Sequence, residues 1–291
     1  MEKCQLCPRK CNVTRIDLQN TGVCGVTDTV RVSRAALHHF EEPCISGEKG
    51  SGTIFFSGCP LKCIFCQNKE ISLGCKGQDI STEKLKELFS DLISQGAHNI
   101  NLVTPTHYAL KIAEILDEKL SVPIVYNCGG YESIETLKLL ENKVDIYLPD
   151  LKYSNNDLAM KYSKVPNYFE IATKAILEMY NQVGDYVLDE NGIMQKGVII
   201  RHLMLPDNLE NTYGVIDWVA DNFRNGSVKF SLMSQYTPLE IYPYPELNQR
   251  VTKEEYQKAV DYMYLCGITD GYTQEPDSAD EIYIPDFNQK I

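Results

Sequence analysis

The chain has 291 residues, of which 43% are hydrophobic and 23% are charged, a balance typical of one large globular domain. Its formal net charge of −12 makes nucleic acid a poor partner, because an acidic surface repels phosphate groups. The sequence contains neither an apolar run of about eighteen residues nor a signal-peptide core, so we expect a cytosolic protein with no membrane partner.

Residues 1–52 are predicted to form an irregular, cysteine-rich lead-in that ends in a glycine-rich connection at 46–52. After it, short apolar runs alternate with segments whose apolar residues recur three or four positions apart, as in strands and helices respectively. The predicted strands span 53–57, 99–104, 123–127, 144–150, 198–205 and 228–233. The predicted helices span 81–95, 106–118, 132–141, 155–162, 168–181, 210–223 and 252–265.

This alternation favours an α/β fold with a parallel sheet and crossover helices. Six strands are fewer than the eight of a closed barrel, so a partial (β/α)6 barrel and an open doubly wound sheet both fit. Asn191-Gly192 lies between two short apolar pairs and predicts a hairpin inserted at 185–197, before the fifth strand. We therefore divide the chain into the lead-in and a domain over 53–291 that includes a C-terminal extension.

Cysteine is unusually frequent, with eleven residues, and in a reducing compartment grouped cysteines more often bind metal than form disulfides. The first group, Cys4, Cys7, Cys11 and Cys24, supplies four possible thiolate ligands. Four thiolates suit either structural zinc or a second, fully ligated iron–sulfur cluster. A short segment with little apolar content also needs a cross-link to be ordered, so we predict a metal site here without choosing the metal.

The second group, Cys59, Cys63 and Cys66, has C-x3-C-x2-C spacing and directly follows the first predicted strand. Ligand-binding loops of parallel α/β folds occupy this position. Three thiolates can hold a four-iron cluster and leave one iron without a protein ligand. A structural zinc site is the alternative, but it normally has four ligands, and no fourth Cys or His lies close by.

With Phe65 before its last cysteine, the segment 57–68 resembles the signature of radical S-adenosylmethionine (SAM) enzymes. From the first cysteines to about Pro238, the chain resembles the branch homologous to pyruvate formate-lyase activating enzyme. The resemblance implies a partial (β/α)6 TIM-like barrel and a [4Fe-4S] cluster on Cys59, Cys63 and Cys66. It also implies an oxidoreductase that cleaves SAM to a 5′-deoxyadenosyl radical, with electrons from a reductant such as flavodoxin or ferredoxin.

The resemblance also implies residues that contact the cofactor. In the activases the second strand ends in Gly-Gly-Glu-Pro, which meets the amino group of SAM, whereas here Thr104, Thr106 and His107 stand in its place. The third strand ends at Asn127 and Cys128, in a loop that in the activases helps to hold a monovalent cation beside the SAM carboxylate. We expect Thr104, His107, Asn127 and Cys128 to belong to the cofactor site.

The later strands supply the remaining candidates. The fourth ends in an Asp-x-Lys motif, with Asp150 as the main candidate cation ligand and Lys152 facing the cofactor carboxylate. On the fifth strand, Arg201 and His202 match residues that reach the ribose or methionyl part. Gln235 follows the sixth strand and is expected at the open mouth of the barrel.

The reaction class is better specified than the substrate. The first hypothesis is activation of a glycyl radical enzyme by hydrogen abstraction from a backbone glycine. Radical modification of a peptide or a small metabolite is the alternative. An iron–sulfur electron carrier is a non-enzymatic alternative, but carriers are smaller and their clusters are fully ligated. The acidic charge disfavours an RNA-modifying enzyme.

Overall fold

The structure is a computed structural model that describes residues 3–274 and Phe287. Most of the predicted C-terminal extension, residues 275–286 and 288–291, lies outside the described residues. Within the part that is described, no helix has the length and apolar character needed to cross a membrane.

Strands and helices alternate over most of the described chain. The strands are β1 Val30–His38, β2 Ser51–Phe56, β3 Gln78–Ile80, β4 Ile100–Val103, β5 Ile124–Cys128, β6 Ile146–Pro149, β7 Val187–Leu188, β8 Met194–Leu203, β9 Lys229–Met233 and β10 Gly271–Thr273. The α-helices are α1 Pro43–Ser46, α2 Lys69–Ser72, α3 Thr82–Ser94, α4 Ala109–Ile115, α5 Ile134–Leu139, α6 Asn156–Ser163, α7 Tyr168–Val183, α8 Leu209–Asn222 and α9 Lys253–Leu265. Two 3-10 helices span Thr106–Tyr108 and Pro245–Asn248.

The strands form one open sheet in the order β10-β9-β8-β6-β5-β4-β2-β1-β3, with β7 paired to β8. Neighbours from β2 to β10 along this path are parallel, whereas β1 is antiparallel to β2 and to β3. The sheet does not close, which confirms the predicted partial α/β barrel. Because β4, β5, β6 and β9 are buried along their whole length, the core lies on both faces of the sheet.

The helices form where the sequence pattern and their end residues favour them. Helix α3 buries the apolar stripe Leu85, Leu88, Phe89 and Leu92, and the Ser81 side chain caps its first turn by accepting a hydrogen bond from the Lys84 amide. Helix α9 begins with a reciprocal capping box between Thr252 and Glu255. Such caps satisfy amides that have no partner within the helix, and so fix where each helix starts.

The predicted hairpin is present, but its second arm is part of the main sheet. Strands β7 and β8 pair in antiparallel fashion, and the Asp189 carboxylate accepts hydrogen bonds from the amides of Asn191 and Ile193 across the turn. Strand β8 then continues without a break to Leu203. The hairpin is therefore an extension of the fifth predicted strand rather than a separate insertion.

The lead-in is irregular up to residue 29, where strand β1 begins. Residues 32–38 of β1 pair with β2 and residues 30–32 pair with β3, and the Val30 and Val32 side chains are buried in the core. The expectation of irregular structure throughout residues 1–52 is therefore wrong for residues 30–38.

The irregular part, residues 3–29, docks on the barrel through polar contacts. The Thr136 hydroxyl on α5 donates to the Leu6 carbonyl at 2.6 Å. The Arg9 guanidinium donates to four backbone carbonyls, those of Pro60, Leu61, Ser163 and Lys164. The lead-in is thus tied to segments that are distant in sequence.

Candidate active site

A cavity of about 230 Å³ opens at the C-terminal ends of the parallel strands. This is the edge at which α/β barrels place their ligand-binding loops. Most of the residues predicted from the sequence to form the site line this cavity. They are Cys59, Cys63, Cys66, Thr104, Asn127, Cys128, Asp150, Lys152, Arg201 and Gln235.

The three cysteines of the loop after β2 are held close together by local contacts. The Cys66 amide donates to the Cys63 carbonyl at 3.2 Å, and the Ser163 hydroxyl donates to the Cys63 sulfur at 3.0 Å. The Cys59 amide donates to the carbonyl of Cys24 in the lead-in at 3.3 Å. Burial, together with the nearby Cys63 and Cys66, raises the pKa of the Cys59 thiol to about 12.

The donor set fits a cluster although the side chains are not yet arranged around one. Among residues 3–274 and 287, no three His, Cys, Asp or Glu side chains form a ready-made metal site. The fit rests on chemistry: three thiols line one buried cavity, where their thiolate forms would repel one another without a cation. Iron bound between them would supply that cation.

Opposite the cysteines lies a network of charged side chains centred on Arg201. Its guanidinium donates to Asp150 at 2.9 Å, to Glu41 at 3.1 Å and to Asn127 at 2.7 Å. The Lys152 ammonium donates to the other Asp150 oxygen at 2.6 Å. Burial pushes the pKa of Asp150 upward, but Arg201 and Lys152 together hold it below its ordinary value of 3.8.

This network bears on the predicted monovalent cation. Both Asp150 oxygens already accept hydrogen bonds from cationic side chains, so a bound cation would have to compete with Arg201 and Lys152. Asp150 as a cation ligand stays a prediction. The loop before it is tightly constrained, since Gly130 has φ +77° and a Cβ there would lie 2.3 Å from the Asp150 carbonyl oxygen.

Glu41 is a residue of the cavity that the sequence analysis missed. It lies between β1 and α1, accepts hydrogen bonds from Arg201 and Asn127, and lines the cavity. No motif marks it, because β1 itself was not predicted. The pairing of β1 with β2 is what carries Glu41 to this edge of the sheet.

Two predicted residues, His107 and His202, are buried away from the cavity. His202 is held between the Leu151 carbonyl at 2.7 Å and the Thr212 hydroxyl at 3.0 Å. Burial lowers the pKa of His202 to about 4, and burial with Arg15 close by lowers that of His107 to about 3, so both rings are neutral. The structure does not bring either ring to the cavity, and we assign neither a contact with the cofactor.

A buried acid lies behind the ends of β4 and β5. The Glu132 carboxylate accepts hydrogen bonds from the Thr106 hydroxyl at 2.7 Å and from the Tyr126 hydroxyl at 3.1 Å. Burial raises the pKa of Glu132 from 4.5 to about 7, against the opposing effect of these donors and of Cys128. No sequence motif marks Glu132.

The four lead-in cysteines also come together. Cys4, Cys7, Cys11 and Cys24 line a second, small cavity of about 10 Å³, which is also lined by His107. This places the first predicted cysteine group next to the loop that carries the second, through the hydrogen bond between Cys24 and Cys59.

Comparison with known proteins gives a consistent result. The family model for the radical SAM superfamily matches residues 53–219. An uncharacterized protein of Methanocaldococcus jannaschii is 33% identical over 271 residues, which cover 89% of this chain and 74% of the relative.

Among solved structures, Streptococcus suis SuiB bound to S-adenosylmethionine matches with a TM-score of 0.51 and 14% identity, over 75% of this chain and 48% of SuiB. SuiB bound to its precursor peptide SuiA matches with a TM-score of 0.50 and 14% identity, over 75% of this chain and 46% of that one. The chain thus spans about half the length of the SuiB chains, and at this identity the likeness shows the fold alone.

Proposed function

The chain belongs to the radical SAM superfamily, and from that premise we propose that it abstracts a hydrogen atom from a polypeptide substrate. Family membership implies a [4Fe-4S] cluster and SAM. When bound, these groups supply an electron and a source of the 5′-deoxyadenosyl radical. The observation that carries the proposal is the convergence of Cys59, Cys63 and Cys66 on one cavity at the C-terminal edge of the sheet.

We assign the cofactor contacts from the charges that line the cavity. Arg201 and Lys152 would hold the carboxylate of SAM, since both line the same cavity as the cysteines and carry a positive charge. The glutamate that meets the amino group in the activases is absent. In the described part of the chain, Glu41 and Asp150 are the carboxylates that line the cavity, and we propose that Glu41 takes the amino group. Asn127 would hold Glu41 in place.

The size of the cavity favours a large substrate that presents a small group. Ligand pockets usually measure about 300–1,000 Å³, and this cavity of about 230 Å³ would be largely filled by the cluster and SAM. The substrate must then meet the radical at the mouth, beside Gln235 and Met233. A loop of polypeptide can extend one residue into such a mouth while its bulk stays outside.

Two forms of this proposal differ in the polypeptide. Activation of a glycyl radical enzyme is the first, because a backbone glycine has no side chain to obstruct its approach. Modification of a peptide is the second, supported by the likeness in fold to SuiB, whose structure with a precursor peptide is known. Modification of a small metabolite remains the alternative substrate class, whereas an electron carrier would not need a polar cavity beside three thiols.

The proposal also includes a reductant and a compartment. A low-potential electron donor such as flavodoxin or ferredoxin would reduce the cluster. All eleven cysteines are free of disulfides, which supports the reducing cytosol expected from the sequence.

The cysteine assignment is tested by cofactor cleavage. Anaerobically reconstituted protein, reduced with dithionite and supplied with SAM, should release 5′-deoxyadenosine, and Cys63→Ala should abolish this release. Cys266→Ala is the matched control, because Cys266 lies at the end of α9 and does not line the cavity. Undiminished product from the Cys63 variant would refute the assignment.

The substrate assignment is tested by electron paramagnetic resonance. A glycyl radical protein from the same cell, mixed with reduced enzyme and SAM, should give the doublet expected from the remaining glycyl hydrogen. If no such protein gives the doublet and a short peptide speeds release of 5′-deoxyadenosine, the second form is correct. If only a small molecule speeds it, the polypeptide proposal is wrong and the radical chemistry stands.

A further inference from the structure

The irregular lead-in, residues 3–29, lacks an apolar core of its own. Only four of its side chains are buried, those of Cys7, Arg15, Cys24 and Val26. Ordering a segment of this length costs about 1–2 kcal/mol of backbone entropy per residue, which so little apolar burial does not offset. Its fixed shape therefore calls for a cross-link, and no disulfide is present in it.

The four lead-in cysteines line one small cavity, although their side chains are not arranged as a ready-made metal site. The cavity lined by Cys4, Cys7, Cys11 and Cys24 measures about 10 Å³, which is about the room that one water molecule takes. The Val23 amide donates to the Cys11 sulfur at 3.4 Å, so a backbone N–H already contacts this ligand.

A buried positive charge at this cavity lacks an anionic partner. Arg15 is 2% exposed and donates to the carbonyls of Val26, Thr27 and His107, all of them neutral. Within the described residues no carboxylate pairs with it, whereas the Cys4 sulfur lies 3.9 Å from its Nη1. A buried guanidinium is costly without a counter-charge, and four thiolates around a divalent ion carry a net charge of −2 that would supply it.

A buried nitrogen at the same cavity has no hydrogen-bond partner. His107 is 2% exposed, and its Nε2 donates to the Ser57 carbonyl at 2.8 Å. Its Nδ1 is then left with a lone pair and with no partner within the described structure. Because His107 lines the cysteine cavity, this unsatisfied nitrogen belongs to a residue of the cavity wall.

We propose that Cys4, Cys7, Cys11 and Cys24 hold a single divalent metal ion of the zinc type, with Arg15 as its charge-balancing neighbour. Tetrahedral coordination by four thiolates is typical of structural zinc, and each thiol releases its proton to solvent on binding. Because the Cys24 carbonyl accepts from the Cys59 amide, the ion also fixes one end of the loop that carries the radical-site cysteines. This site is independent of the substrate proposed above.

The test isolates the lead-in site in a full-length background. Cys59, Cys63 and Cys66 are all replaced by Ala, so that the radical site cannot bind metal, and the protein is loaded anaerobically with zinc or with cobalt. Metal analysis should give one zinc per chain, and the cobalt form should show the visible absorption of a tetrahedral thiolate site. Four irons per chain after reconstitution of this background would instead show a cluster and overturn the single-ion assignment.

Ligand identity is tested by further substitution in that background. Replacing Cys7 and Cys11 by Ser should reduce bound zinc from one per chain to none and expose residues 3–29 to protease. Cys266→Ser in the same background should retain the ion. Equal zinc in the double variant and in its control would refute the proposal. Since the double variant could also lose its lead-in fold, a chelator titration of the unaltered lead-in gives a second answer, and failure to detect any bound zinc there would refute the proposal by itself.

Discussion

The buried acid Glu132 makes a pH-dependent contribution to stability that can be worked out from the structure. Its pKa of about 7 in the folded chain lies above the ordinary value of 4.5, because burial disfavours the carboxylate. Other titratable groups near this carboxyl group are Tyr126 and Cys128 on β5 and Cys7 of the lead-in. At low pH the Glu132 carboxyl is neutral in both the folded and the unfolded chain, so its burial does not lower the stability of the fold through ionisation. As pH rises from 4.5 to about 7, only the unfolded chain loses its proton, so stability falls.

Above pH 7 the loss in the free energy of unfolding reaches its full value, which is about 3 kcal/mol for a pKa rise from 4.5 to about 7. Glu132→Gln keeps the shape of the side chain but removes the ionisable group. The free energy of unfolding of the variant should therefore equal that of the wild type at about pH 5 and exceed it at about pH 8. Part of the gain is lost with the charge-assisted hydrogen bonds from Thr106 and Tyr126, which leaves an expected net gain of about 1–3 kcal/mol.

Thermal denaturation across this pH range is the assay, since 1 kcal/mol shifts the Tm of a domain this large by about 2–4 °C. Glu135→Gln, a change on the exposed side of α5, is the control and should follow the wild type at every pH. The reasoning is refuted if Glu132→Gln and the wild type show the same pH dependence, or if the variant is the less stable protein at the higher pH.

Three further predictions follow from the charged network, the glycine loop and the helix caps. Asp150→Ala removes the carboxylate that positions Arg201 and Lys152, so SAM binding should weaken and lose its dependence on sodium or potassium in calorimetric titrations. The unpaired buried cations should also cost about 3–5 kcal/mol of folding stability, whereas wild-type affinity and ion dependence would make Asp150 structural. Gly130→Ala should lower Tm by more than Gly184→Ala: both residues have positive φ, but only at Gly130 would the added Cβ clash, with the Asp150 carbonyl oxygen. Equal decreases in Tm would contradict this. Thr252→Ala removes half of the capping box with Glu255 and should cost about 1 kcal/mol in denaturant unfolding without altering cofactor cleavage.

The sequence predicted those parts of the fold and site that depend on local pattern. Cys59, Cys63 and Cys66 lie within one loop, so their short separation along the chain is enough to predict that they are close together in space. Asp150 and Arg201 were each placed at the cofactor site, since the ends of parallel strands share one edge of the sheet, and the structure joins the two by a hydrogen bond of 2.9 Å.

The features that the sequence did not predict depend on contacts between distant segments. The residues of β1 show only a weak alternation of buried and exposed side chains, so the sequence alone does not predict a strand there. The pairing of β1 with β2 forms the strand and places Glu41 at the cavity. His107 and His202 have polar side chains at strand ends, which suggested an active site. Their rings turn instead toward the Ser57 and Leu151 carbonyls, a choice set by packing that no local pattern encodes.

The way Arg9 is held has a consequence for how the protein is made. Its guanidinium donates to carbonyls near residues 60 and 164, so this set of docking contacts is complete only after the ribosome has produced more than half of the chain. At about 5–20 residues per second, the 140 residues from position 24 to position 164 require roughly 7–28 s. Throughout that interval the lead-in, with its four thiols, is held by only part of its contacts. Oxygen and metal supply during synthesis should therefore affect how much of the protein matures correctly.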